Sequence, residues 1–217
     1  LEGNLLAIRD RMIERGLDAE YEFRYSFRTP DTAEKWTLLR MLKQLAQADI
    51  VLLDDYFAPL EWVKLNPKAT YIQVWHAGSG FKSIGYSRFG KFGSPALSSA
   101  HRQYTWAITG SRNLKHAYSE AFGIEESAIV PTGLPRIDKF LDPDEQAISR
   151  AKAYRKFPAL QGKRVILFAP TFRGRGAKDA RYDYSQIDFQ ALYDLCGDET
   201  VVAFRMHHFI PGKVPIP

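Results

Sequence analysis

A single cysteine, Cys196, stands among 217 residues. That excludes an intrachain disulfide framework and any multi-cysteine zinc site, and it favours a reducing compartment. No apolar run approaches the roughly 20 residues that span a bilayer, and no secretory signal pattern is visible. Neither an internal repeat nor a low-complexity tract occurs. Charge is nearly balanced: 30 Lys+Arg against 25 Asp+Glu gives +5, which suits an anionic ligand, a membrane surface or nucleic acid without choosing among them. The first residue is leucine and the last, KVPIP, follows directly on a strand-like run, so both ends read as cut and a longer polypeptide is expected.

What is present is globular. A 45% hydrophobic content with 13% aromatics is too apolar for a disordered chain, and the length suffices for one large core or two small ones. Leu5, Ile8 and Met12 share a helical face that Gly16 stops. Asp31 and Glu34 form a capping-box-like start to a second helix with Trp36, Leu39, Leu42 and Leu45 as its apolar stripe. Ile50–Leu53 reads as a short, fully buried strand ending in Asp54-Asp55. The alternation then continues: helix 59–65, strand 69–75, strand 105–108, helix 111–122 stopped by Gly123, and strand 128–131. A polar helix at 143–157 reads as a bridge to strand 164–169, helix 187–195 and strand 200–204. Cys196 ends the apparent helix of ALYDLCGDE and reads as a packing residue. Apolar strands alternating with helices predict an α/β fold with a parallel sheet covered on both faces.

Polar chemistry collects behind the strands, in the loops DD, HAGSGFK, TGSRN, TGLPRID, PTFRGRG and RMHH. Ligands of open α/β sheets bind at the carboxyl ends of strands, where helix N-termini present free N–H groups. His76, Lys82, Arg136, Arg173, Arg175, Arg205, His207 and His208 all fall there, and so many cations imply an anionic ligand. In HAGSGFK, Gly78 and Gly80 admit close approach of backbone N–H groups to a phosphate, Ser79 can donate and Lys82 adds charge. His76, an imidazole that can both take up and give up a proton, suits acid–base work; a structural histidine at a strand end fits the same position. Ser111 reads as a helix N-cap or an anion contact, and Asp138 as a cap or a partner of Arg136. Thr171 and Arg173 sit in a loop suited to phosphate oxygens. His116 and His101 have no partner that the sequence identifies. RGRGAKDAR is the densest basic run, but no aromatic-interleaved basic surface or nucleic-acid module accompanies it, so no nucleic-acid partner is expected. Carboxylates spaced for a metal site are not evident.

In this order, QVWHAGSGFKSIG, TGSRNLKHAYSEAFG with TGLPRID behind it, VILFAPTFRG and FRMHH resemble the CDP-glycerol glycerophosphotransferase family of teichoic-acid biosynthesis. Members carry WHG or WHA followed by a lysine and a glycine, a G-x-PR-x-D turn, an APT-[FW]-R loop and an R-x-H-P strand end. Three positions differ from the residues usual in the family: Ala77 stands where many members have glycine, a form that resembles the primase-type branch, Ile137 replaces asparagine, and His208 replaces proline. The resemblance implies a GT-B-like enzyme of two Rossmann-type halves. Residues 1–140 would be the acceptor-side half without its first strand, 141–163 a linker helix, and 164–217 the start of the nucleotide-side half. It implies transfer of glycerol phosphate from CDP-glycerol to a hydroxyl of a lipid-linked acceptor with release of CMP, peripherally on the cytoplasmic face of the plasma membrane. It requires no cofactor or metal. The family's motif histidines fall on His76 and His207, and its basic and glycine positions on Gly78, Lys82, Arg136, Arg173 and Arg205. Two other classes stay open: a related enzyme that moves ribitol phosphate or a sugar, and a non-catalytic acceptor-binding fragment.

Overall fold

A computed structural model describes residues 3–26, 35–62, 64–78, 83–90, 96, 100–174, 178–210 and 214. The chain divides into two compact units, Leu1–Leu141 and Asp142–Pro217.

The first unit opens with helix α1 (Gly3–Glu14), and Gly16 just beyond it takes φ 75. Helix α2 (Lys35–Gln47) leads into strand β1 (Ile50–Leu53). The proposed stripe on α2 is corrected: Trp36 is 79% and Leu39 55% exposed, whereas Met41 and Leu45 are buried. Steps of three residues drift by about 60° each on a 3.6-residue helix, so Trp36 lies opposite Leu45. The capping pair Asp31–Glu34 lies outside the described residues. Strand β1 is not fully buried either; it stands at the edge of its sheet, with Ile50 46% exposed. In place of the expected helix 59–65 there is a 3-10 turn, Ala58–Glu61, closed by the Trp62 N–H donating to the Pro59 carbonyl at 3.1 Å. So short a segment cannot repay helix nucleation.

Strand β2 (Thr70–Gln73) pairs with β1 and with β3 (Trp106–Ile108), and β3 pairs with β4 (Ile129–Val130), every pair parallel. The sheet order β1-β2-β3-β4 follows the sequence. Because all four strands run the same way, residues 54–55, 74–78, 109–111 and 131–134 emerge at one edge. Helix α3 (Lys115–Phe122) starts with a 3-10 turn, Arg112–Leu114, and ends at Gly123, whose φ of 65 is the left-handed cap that glycine accepts without cost. Tyr118 and Phe122 of α3 pack with Leu60, Tyr71, Trp75, Tyr104 and Ile129 to form the core. His101 belongs to that core, 4% exposed, which the sequence did not reveal. Helix α4 (Asp138–Leu141) closes the unit.

The second unit starts with helix α5 (Pro143–Lys156). Asp142 caps it by accepting from the N–H groups of Asp144 (2.9 Å) and Glu145 (3.3 Å), and Pro143 occupies a first-turn position where no N–H is needed. Parallel strands β5 (Arg164–Phe168) and β6 (Thr200–Phe204) flank helix α6 (Phe189–Asp194). Phe168 and Phe204 meet edge to face at 5.5 Å. Cys196 is exposed, not packed as expected, with its thiol 3.4 Å from the Leu192 carbonyl.

Candidate active site

The carboxyl edge of the four-stranded sheet is built around the end of β2. Past Gln73 the Val74 N–H still donates to the Leu53 carbonyl at 2.7 Å, and then Trp75 takes φ 36, a conformation that bulky residues avoid and that costs on the order of 1–3 kcal/mol. Buried partners hold it there. The Trp75 N–H donates to Gln73 Oε1 at 2.9 Å, and Gln73, fully buried, donates its amide to the Asp55 carbonyl at 3.0 Å. Asn4 of α1 donates its amide to the carbonyls of Val74 (3.0 Å) and Trp75. The indole packs edge to face on Phe122 at 5.6 Å.

This twist delivers His76 to the surface. Its ring is exposed, stacks on Trp75 at 4.5 Å, and places Nδ1 2.9 Å from the Asp54 carbonyl. A carbonyl only accepts, so Nδ1 carries the proton and the neutral ring presents Nε2 as a basic lone pair. The His76 carbonyl in turn accepts from the Arg136 guanidinium, and the Ala77 carbonyl from the Tyr118 hydroxyl. Gly78 sits between neighbours: a Cβ there would lie 2.5 Å from the Leu134 side chain, and one on Gly110 would lie 2.5 Å from the Gly78 carbonyl. Gly110 requires glycine because the clash is with backbone, whereas at Gly78 the Leu134 side chain would have to shift. Ser111 caps the following turn by accepting from the Asn113 N–H at 3.3 Å. An open groove of about 1210 Å³ runs between α1 and the 132–139 turn, with Gly78, Gly110 and Asp138 on its walls.

The second unit gathers its own set at the ends of β5 and β6. The Arg205 N–H donates to the Phe168 carbonyl at 2.9 Å, and the residue is exposed. Arg173 and Arg181 exchange backbone hydrogen bonds at 2.8 and 2.9 Å, forming a small loop that starts at Thr171. Gly174 turns that loop with φ 120. Arg173 Nη1 donates to the Thr171 carbonyl at 3.2 Å. The His207 N–H donates to the Tyr182 hydroxyl at 2.7 Å, and its ring lies 4.4 Å from both Phe172 and His208. His207 Nδ1 accepts from the Phe209 N–H at 3.2 Å, so its neutral form carries the proton on Nε2, the opposite tautomer to His76.

The edge of the first unit thus brings together His76, Gly78 and Arg136, with Ser111 next to Gly110 and Asp138 across the groove. Thr171, Arg173, Arg205 and His207 cluster in the second unit. Ser79, Gly80, Lys82 and Arg175 lie outside the described residues. His116 is a surface group 3.8 Å from Glu126. Among the described residues no three His, Cys, Asp or Glu side chains gather as a metal site. Sequence reasoning missed Asn4, Gln73, Tyr118 and Tyr182. For Asn4 a signal existed: it is a polar residue four before Ile8, in phase with the apolar face of its helix.

The chain matches the family described as CDP-Glycerol:Poly(glycerophosphate) glycerophosphotransferase over residues 1–216. It belongs to that family. It is 38% identical over 220 residues to the teichoic acid ribitol-phosphate polymerase TarK of Staphylococcus aureus, covering 100% of this chain and 43% of that protein. It is 34% identical over 216 residues to the teichoic acid poly(ribitol-phosphate) polymerase of Bacillus spizizenii, covering 99% of this chain and 35% of that protein. The chain therefore spans less than half the length of these curated relatives. A solved variant of the wall teichoic acid polymerase TagF superposes with a TM-score of 0.73 at 19% identity, over 96% of this chain and 54% of that one. The fold class is accordingly α/β and GT-B-like, as the motifs implied.

Proposed function

We propose that this protein transfers a polyol phosphate from a CDP-linked donor to a hydroxyl of a teichoic-acid acceptor, releasing CMP. The observation that carries the proposal is the fixed tautomer of His76, an exposed imidazole whose Nε2 is the basic atom. Nε2 takes the proton of the acceptor hydroxyl, the freed oxygen attacks the phosphorus that bears the polyol, and the bond to the CMP phosphate breaks. Negative charge develops on the pyrophosphate oxygens, and Arg173, Arg205 and the Nε2–H of His207 are the proposed donors to it. Such reactions depend chiefly on positioning and charge stabilisation. Lys82, Ser79 and Gly80 complete the phosphate loop in this reading, and the acceptor follows the groove that passes Gly78, Gly110 and Asp138. No cofactor beyond the donor is called for.

Ribitol phosphate is the group we favour over the expected glycerol phosphate, because the two relatives above are both named for ribitol phosphate. The family description, which names glycerophosphate, and a TagF variant soaked with CDPG support glycerol phosphate as the second reading. Action at the cytoplasmic face of the membrane, against a lipid-linked acceptor, is part of the proposal; no helix among the described residues is long and apolar enough to cross a membrane. The test is CMP release from CDP-ribitol and CDP-glycerol with a teichoic-acid acceptor. His76→Ala should lower the preferred rate by at least ~100-fold, the scale of a general base, with the fold intact. Wild-type turnover by that variant, or no CMP from either donor, refutes the assignment.

A further inference from the structure

Asn4 is the most deeply placed polar side chain of α1, 2% exposed, and every one of its bonds ends on the backbone of the candidate site. Its amide donates to the carbonyls of Val74 (3.0 Å) and Trp75, and its Oδ1 accepts the Arg136 N–H at 3.2 Å. Arg136 returns to the same strand end by donating its guanidinium to the His76 carbonyl. Asn4, residues 74–76 and Arg136 therefore form a closed hydrogen-bonded ring drawn from three distant parts of the sequence.

We infer that Asn4 is a positioning residue that sets the orientation of both His76 and Arg136; the inference rests on the function proposed above. Trp75 has a φ of 36, and that conformation turns two successive carbonyls away from the sheet ladder, where each needs a donor. A primary amide supplies two donors on one nitrogen and an acceptor beside it, which is the demand at this point. Aspartate has the same shape without the donors, and alanine supplies nothing. If the strand end relaxes, the His76 ring loses its register with the Asp54 carbonyl, and with it the bond that keeps the proton on Nδ1. Arg136 loses its backbone anchor in the same event. The acceptor-side chemistry then suffers while the donor contacts of the second unit are untouched.

The test uses the full-length protein with Asn4→Asp, and Leu6→Ala as a control that weakens the same helix without breaking the ring. Two readouts are taken. Imidazole ¹⁵N shifts report the His76 tautomer without reference to activity, and steady-state kinetics report kcat and the donor KM. Asn4→Asp should shift the His76 ring from the Nδ1–H form to a mixture of tautomers, lower kcat at least tenfold and leave the donor KM within twofold. Leu6→Ala should do neither. An unchanged tautomer and kcat in folded Asn4→Asp overturns the inference, as does an equal response in Leu6→Ala. Should Asn4→Asp fail to fold, Asn4→Ser, which keeps a shorter donor and acceptor, is measured in the same two ways. A mixed tautomer with lowered kcat then supports the inference, and an unchanged tautomer and kcat overturns it. If His76→Ala leaves CMP release intact, the proposed function fails, and the tautomer readout still decides the role of Asn4.

Discussion

Acid should unfold the first unit through His101. The ring is 4% exposed and lies among Tyr56, Trp75, Tyr104 and Phe122, with Nδ1 3.0 Å from the Tyr104 hydroxyl. Burial pushes its pKa down from 6.5 to about 4, against the smaller upward pull of Asp55 and Glu61. The folded value is below the unfolded one, so the unfolded chain binds the extra proton between them. Stability is complete above pH 6.5 and is lost as pH falls towards 4. At ~1.4 kcal/mol per pH step of separation, the loss is about 2 kcal/mol at pH 5 and about 3 kcal/mol at pH 4. That is a large share of the ~5–15 kcal/mol that holds a domain together. All four tryptophans, Trp36, Trp62, Trp75 and Trp106, belong to the first unit, so urea unfolding followed by indole fluorescence reports that unit alone. His101→Phe keeps an aromatic ring but cannot be protonated. It sacrifices the bond to Tyr104 at every pH, so the pH slope and not the absolute stability is compared. Between pH 7 and 5 the wild type should lose about 2 kcal/mol more than the variant. Parallel slopes would refute the reasoning.

Two single contacts lead to further outcomes. Gly110→Ala places a Cβ 2.5 Å from the Gly78 carbonyl; since the clash is with backbone, one of the two loops must move, and CMP release should fall at least tenfold while the melting temperature drops by only a few degrees. Tyr182→Phe removes the hydroxyl that accepts the His207 N–H. The loss, about 0.5–1.5 kcal/mol for one hydrogen bond, should appear as a roughly 2–10-fold lower kcat/KM for the proposed CDP-linked donor, with indole fluorescence unchanged.

The sequence made the frame legible because parallel strands leave apolar runs: β1 and β6 fall at the residues their runs mark, Ile50–Leu53 and Thr200–Phe204. It misjudged how buried the β1 run is, since a four-residue apolar strand reads alike in the middle of a sheet and at its edge. The positions after strands were legible as chemistry because so many cations gathered at strand ends imply an anionic ligand. His76 and Arg136 stood out on that ground, and the structure joins them directly. Their support was not legible. Asn4, Gln73 and Tyr118 act through backbone groups 70, 18 and 41 residues away, and a side chain bonded to a backbone leaves no pattern in the residues opposite it. The φ of Trp75 was hidden for the same reason, because the residues flanking it continue an extended run. Cys196, expected to be packed, lies on the surface, and His101, for which the sequence identified no partner, lies in the core.

The order of the first sheet has a consequence for how the protein is made. Each strand lies beside the one that precedes it in sequence, so the sheet can grow one neighbour at a time as the chain leaves the ribosome. The bond between Asn4 and the Arg136 N–H spans 132 residues and can form only when the whole unit has been synthesised. A nascent chain thus builds its frame early and closes the ring at its reactive edge late, and an arrested fragment that stops short of Arg136 holds a sheet in which Asn4 Oδ1 and the His76 carbonyl lack the donors that Arg136 brings.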